Sequence, residues 1–322
     1  MKSAICTLFE GHYHYGVAAL TNSLYKRGFR GSIYAGYRGA LPPWVKNIYN
    51  TTEFSWPGAK TFKVADGLVL YFLPLTTSYH LTNYKPDFML ELWAGPAKDA
   101  EAMFYFDPDI VQVAPWTFME EWVNCGVAVS EDVNSPLEKY HPKRVAWRNY
   151  FGKYGYMLNF KNNIYVNGGF VGARVENKVF IEYWRRVQEK MGEGIGGLNR
   201  SAFTKGEPLF LQDSGDFAPF GKTDQDALNA SIEFYKGDIS YITKAGMGFE
   251  AGLLVMAHAL GKNKPWLKLY IKDFLRGYKI GIVDKSFWNN VVEPIRIYDK
   301  IKINMTLFEI KIFSFLNRFY SK

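Results

Sequence analysis

The chain has 322 residues, 48% of them hydrophobic and 17% aromatic, with a formal net charge of +8. That much apolar side chain can fill the core of one large α/β domain or two fused ones, and it excludes a disordered or fibrous chain. The two cysteines, Cys6 and Cys125, form neither a disulfide framework nor a Cys-x-x-Cys metal motif and suit a reducing cytoplasm.

Met1 and Lys2 run straight into the strand-like Ser3-Ala4-Ile5-Cys6-Thr7-Leu8 without a basic, apolar leader, so export is not expected. After this strand come a Gly/His/Tyr loop over 11–16 and a helical run through Val17, Leu20 and Leu24 that stops near Gly28. Further strands are expected at 32–35, 68–73, 103–106, 126–130 and 164–173, with helices at 88–93 and 179–190 between them. This alternation predicts an α/β fold: a Rossmann-like, mixed and mostly parallel sheet with helices on both faces. The uncharged run over 67–84 is broken by Pro74 and by Thr76, Thr77, Ser78, His80 and Asn83, so no transmembrane helix is expected.

Residues 192–222 are rich in Gly, Ser, Asp and Pro and lack a sustained period, which predicts a long loop serving as a lid or an acceptor loop. Residues 1–266 read as the main domain and 267–322 as a distinct helical appendage that mixes Lys and Arg with aromatic and aliphatic side chains. From Lys262 onward there are thirteen basic and five acidic residues, an excess that equals the net charge of the whole chain. The positive field belongs to this tail. It fits contact with an anionic membrane surface, the alternative being helices that pack their aromatics on the core and leave the charges solvated. No recognition-helix or zinc signature supports nucleic acid.

Asp107-Pro108-Asp109 follows the apolar strand Met103-Phe104-Tyr105-Phe106, at the edge where open α/β sheets bind ligands. Two carboxylates at i and i+2 can share one hard cation, Mg²⁺ or Mn²⁺, that bridges a diphosphate, although the same dipeptide pattern also makes plain turns. The second constellation is His258-Ala259-Leu260-Gly261-Lys262-Asn263-Lys264-Pro265-Trp266. An imidazole added to the carboxylates would favour Mn²⁺, Gly261 would let the backbone approach a phosphate, and Lys264 would put a point charge on it. The pair His12-x-His14 has no carboxylate or thiol beside it and reads as loop residues. The phosphate-loop and nucleophile-elbow motifs are missing, which excludes the usual ATPase and esterase readings.

With these motifs stand Tyr13-His14-Tyr15-Gly16, Asn22-Ser23-Leu24, Asn167-Gly168-Gly169-Phe170 and Asp224-Gln225-Asp226-Ala227-Leu228-Asn229. In this order, over residues 3–266, the set resembles glycosyltransferase family 8, which contains glycogenin and bacterial lipopolysaccharide galactosyl- and glucosyltransferases and has the GT-A fold. The resemblance implies a retaining hexosyltransferase with a nucleotide-sugar donor, UDP being favoured, and a glycan or lipid-linked acceptor. It implies a metal site of Asp107, Asp109 and His258 holding Mn²⁺, with Mg²⁺ as the alternative. Thr7, Phe9 and Tyr13 would wall the base and ribose, Gly261 and Lys264 would bind the diphosphate, and Asn167 and Gly168 would face the sugar. Lys85 matches a lysine that reaches the donor. Asp224 and Gln225 match the pair beneath the sugar near the reacting carbon, while Thr223 and Asp226 also read as a helix N-cap and its capping partner. Glu10-Gly11-His12 stands where the family often has Asn or Asp, which leaves recognition of the base open. The alternatives are an inverting enzyme with Asp224 or Asp226 as base and a catalytically silent glycan- or membrane-binding relative. The setting implied is the cytoplasm, at the inner face of a membrane.

Overall fold

Strand β1 (Ser3–Glu10) is central because both of its faces are apolar and buried. Ala4, Cys6 and Leu8 enter one helix layer and Ile5 and Phe9 the other, the two-residue period of a strand covered on both sides. The computed structural model of the chain describes residues 1–202, 209, 217–278, 280–316 and 319.

Following β1 in chain order are α1 (His14–Lys26), β2 (Gly31–Arg38), β3 (Tyr49–Asn50), β4 (Lys60–Ala65), β5 (Leu68–Pro74), α2 (Lys85–Ala94), β6 (Ala102–Phe106) and β7 (Ile110–Gln112). Then come α3 (Trp116–Trp122), β8 (Val127–Glu131), α4 (Pro142–Gly152), β9 (Val166–Arg174), α5 (Lys178–Ile195), α6 (Thr223–Phe234), β10 (Ile239–Ile242) and β11 (Met256–His258). Nine strands form one mixed sheet in the order β10-β8-β9-β6-β1-β2-β5-β4-β3, with a parallel centre of β6, β1, β2 and β5. Phe88, Leu92, Phe180, Trp184 and Leu228 from α2, α5 and α6 cover one face. Val17, Leu20, Leu24, Trp116 and Met119 from α1 and α3 cover the other. The α/β layering expected from the sequence is therefore present, and each expected strand occurs within a few residues of its place.

Helix α5 runs on to Ile195, with Gly192 and Gly194 buried inside it, so the start of the expected loop at 192 is corrected to the end of this helix. Its apolar stripe outweighs the low helix propensity of two glycines. Within the remainder of that expected loop, residues 203–208 and 210–216 lie outside the described residues. The expected capping box does not form: Lys222, not Thr223, is the N-cap of α6 and makes no side-chain cap hydrogen bond, while its backbone N–H donates to Asp226 at 2.7 Å.

The tail forms α7 (Tyr270–Leu275), α8 (Ile282–Trp288) and α9 (Lys300–Leu316). Trp266, Tyr270, Phe287, Trp288, Ile303 and Ile310 bury a cluster against Ala19 of α1 and Val111 of β7. Tyr298 stacks between Tyr15 and Trp288, with ring centroids 5.5 and 5.0 Å away. Among the described residues no helix is long and apolar enough to cross a membrane. The attachment is also polar at one point. The Asn22 amide donates to the carbonyls of Asn290 (2.8 Å) and Ile295 (2.7 Å), and its oxygen accepts the Ile295 N–H (2.8 Å).

Asn22→Ala would leave those three backbone groups without their partner, and a buried group so orphaned costs about 1–3 kcal/mol. The variant is expected to lose about 2–4 kcal/mol in urea unfolding and to expose the segment at 290–295 to proteases. A loss below about 1 kcal/mol would mean that aromatic packing alone holds the tail.

Candidate active site

Strand β6 ends by delivering Asp107 to the ligand edge of the sheet, where its N–H donates to the Gly169 carbonyl of β9 at 2.7 Å. The chain turns back at once, with the Ile110 N–H donating to the Asp107 carbonyl at 3.1 Å. This turn rests on the first turn of α1. A Cβ on Gly16 would lie 2.0 Å from the Pro108 carbonyl oxygen, a contact no side chain allows, so glycine is required there.

Asp109 and His258 meet because β7 and β11 pair antiparallel. His258 stands opposite Ile110, and the Ala259 N–H donates to the Asp109 carbonyl at 3.1 Å. Ligand-type atoms of Asp107, Asp109 and His258 all lie within 4.8 Å of one another. His258 Nε2 is 3.3 Å from Asp109 Oδ1, while His258 Nδ1 is buried with no hydrogen-bond partner among the described residues. Two carboxylates and an imidazole fit a divalent cation.

Two buried lysines balance the carboxylates. Lys264, 155 positions along the chain from Asp109, donates to Asp109 Oδ2 and, at 2.6 Å, to the Ala259 carbonyl. Lys85 bridges Asp107 Oδ1 at 3.1 Å and Asp224 Oδ2 at 2.9 Å and donates to the Gly168 carbonyl at 2.9 Å. Burial pushes the Asp109 carboxyl up, but Lys264 and His258 outweigh it and hold the group well below the usual carboxylate range. Burial likewise works against both ammonium groups, and their carboxylate partners override it, so Lys85 and Lys264 are raised above the ordinary lysine value. At Asp224 burial wins over Lys85, and its carboxyl is raised.

The other expected residues fall into two groups. Gln225 Oε1 accepts the Gly168 N–H at 3.2 Å, which sets Asp224 and Gln225 against Gly168 at the site. Tyr13 lies with its ring centroid 5.8 Å from the Lys264 ammonium and edge-on to Trp266 at the same spacing. Asn167 is committed within the protein: its amide donates to Asp132 Oδ2 at 2.7 Å and its oxygen accepts the Gly169 N–H at 2.8 Å. Phe9 is packed in the core between Tyr37 and Phe72. Thr7 is buried, and its hydroxyl has no partner among the described residues. Gly261 is exposed at a φ of 78°, where it makes the turn between His258 and Lys264. His12 and His14 each accept an indole N–H on Nδ1, from Trp266 at 2.9 Å and from Trp44 at 3.1 Å. They support the loop and lie apart from the three-residue cluster.

Sequence reasoning missed three contributors. Tyr105 donates to Asp107 Oδ1 at 2.8 Å. Asp132 follows β8 as Asp107 follows β6, and that position was the signal that could have found it. Gly169 faces the cluster: a Cβ there would come 2.7 Å from His258 Cε1 and 3.2 Å from Asp107 Oδ2.

No family model and no curated protein matches the chain. Among solved structures, the glycosyltransferase GlyE of Streptococcus pneumoniae TIGR4 is similar with a TM-score of 0.50 and 14% identity, over 97% of this chain and 64% of that one. This chain has the GT-A glycosyltransferase fold. Also similar are the apo bifunctional glycosyltransferase WbbM (TM-score 0.48, 14% identity, 94% of this chain and 51% of that one) and the galactosyltransferase LgtC in complex with donor and acceptor sugar analogues (0.49, 12%, 94% and 100%). The chain thus spans about half the length of WbbM and under two thirds of GlyE.

Gly169→Ala is expected to push His258 away from Asp107 and lower Mn²⁺ affinity by at least about tenfold, as read from free Mn²⁺ by electron paramagnetic resonance. His258→Ala should lose as much without crowding the strand. Unchanged affinity in both would exclude His258 from the set.

Proposed function

We propose that the chain is a retaining hexosyltransferase that uses a UDP-linked donor, in the manner of glycosyltransferase family 8, with Mn²⁺ held by Asp107, Asp109 and His258. The observation that carries this reading is the meeting of Asp107, Asp109 and His258 at the ligand edge of a GT-A sheet. The cation, when bound, supplies charge that stabilises a departing diphosphate. Lys264 brings a buried, fully charged ammonium to the same point and suits the phosphate oxygens. Asp224 and Gln225, fixed by Lys85 and Gly168, suit the sugar hydroxyls and the positive charge that develops at the anomeric carbon. The acceptor in this reading is a glycan or a lipid-linked sugar, and the enzyme works at the cytoplasmic face of a membrane that its basic tail meets.

The state of the two candidate bases favours retention over inversion. Asp226 is fully buried and holds Lys143 at 3.0 Å, the Tyr165 hydroxyl at 2.7 Å and the Lys222 N–H at 2.7 Å. Asp224 is occupied by Lys85 at 2.9 Å. Neither carboxylate stands free to take a proton from an acceptor hydroxyl.

The first assay is Mn²⁺-dependent release of UDP from a UDP-hexose without acceptor. Asp109→Asn and His258→Ala are each expected to lower it by at least about a hundredfold, and full activity in both would remove the metal assignment. Release of pyrophosphate in place of UDP would indicate nucleotidyl transfer, and donor binding without turnover a silent relative. The anomeric configuration of the product, read by NMR, decides between retention and inversion.

A further inference from the structure

Helix α9 is apolar on two opposite faces, and among the described residues only one of them is covered. Ile303 and Ile310 are 3% and 1% exposed and sit in the tail's cluster with Leu307 and Phe313. On the far side Ile301, Met305, Phe308, Ile312 and Phe315 are 73%, 60%, 64%, 37% and 55% exposed. Their spacing alternates four and three residues, which keeps all five on one face of a helix. Single exposed apolar side chains are ordinary, whereas a continuous row of this length marks a binding surface. Helix α7, joined to α9 by the stacked pair Phe274 and Phe313 (4.8 Å), adds the exposed Ile271 and Leu275.

We propose that this face of α9 lies in the interface of an anionic bilayer, its apolar row among the upper acyl chains and its lysines at the headgroups. The charge supplies the choice of occupant. Lys302 and Lys311 are exposed on the two flanks of the row, Glu309 is the one acid in the helix, and the chain's whole positive excess lies from residue 262 onward. Acidic headgroups complement that surface, and each Lys near them adds to the attraction. A second copy docked on the same face would bring the same positive excess and not an acidic complement to it. This inference makes the membrane side of the proposed function specific to one helix, and it does not depend on the reaction.

The test is co-sedimentation of the full chain with vesicles of phosphatidylcholine alone or mixed with phosphatidylglycerol, with UDP-hexose hydrolysis measured on the same preparations without vesicles. Wild type is expected to bind the anionic vesicles and leave the neutral ones. Met305→Ser/Phe308→Ser/Ile312→Ser/Phe315→Ser and, separately, Lys302→Glu/Lys311→Glu should each lose at least about tenfold in vesicle binding, with hydrolysis unchanged. Equal binding by the serine variant, or no binding by wild type, overturns the proposal. So does a wild-type dimer in sedimentation velocity that the serine variant converts to monomer, because a second copy then covers the face. A chain that binds vesicles through α9 but releases no UDP would sink the proposed reaction and leave the surface standing.

Discussion

A carboxylate as buried as Asp109 can remain ionised only beside compensating charge and hydrogen-bond partners, and the ammonium and the imidazole beside it both come from far along the chain. His258 ends β11, and Lys264 lies in the turn that follows it. The three-residue ladder between β7 and β11 therefore does more than its length suggests, since without it Asp109 would be stranded. The same closure brings Trp266 beneath Tyr13 and starts the cluster that docks the tail.

The site is balanced in two halves. Asp109 answers to Lys264 and His258, while Asp107 and Asp224 share Lys85. Three carboxylates against two ammonium groups leave one negative charge in excess, which a divalent cation would turn to one positive. That sign suits a diphosphate. The same arithmetic explains why no single member stands alone: removing either lysine leaves a buried carboxylate uncompensated, the costly way to break such a pair.

The strands buried on both faces could be read in the sequence because their apolar runs are continuous, as in Met103-Phe104-Tyr105-Phe106. The short strands β3, β7, β10 and β11 could not, since two to four residues carry no period. Helix α4 was hidden differently. Its inward face is Arg144, Trp147 and Phe151, and the arginine is buried by pairing with Glu233, so a core position reads as polar. At the site, the order of motifs announced Asp107, Asp109, His258 and Lys264, but no spacing could reveal that Lys85 would bridge Asp107 and Asp224. Phe9 shows the reverse, a residue matched to the donor wall that the fold uses as core between Tyr37 and Phe72. Asn22-Ser23-Leu24 was visible only as a pattern. Its physical reason is that Asn22 clamps the tail and the Ser23 hydroxyl accepts the Gln112 N–H of β7 at 2.9 Å.

Helix α1 is where the two ends of the molecule are held in common. Gly16 supports the Asp107-Pro108-Asp109 turn, Ala19 enters the tail's apolar cluster, and Asn22 grips residues 290 and 295. A helix of 13 residues is a stiff spacer, unlike a flexible linker, whose reach varies with every fluctuation. Any surface that α9 meets consequently stands at a set distance and angle from Asp107 and Asp109. Under the proposed function, the reach of an acceptor rooted in that surface would be fixed by the packing of α1, α8 and α9.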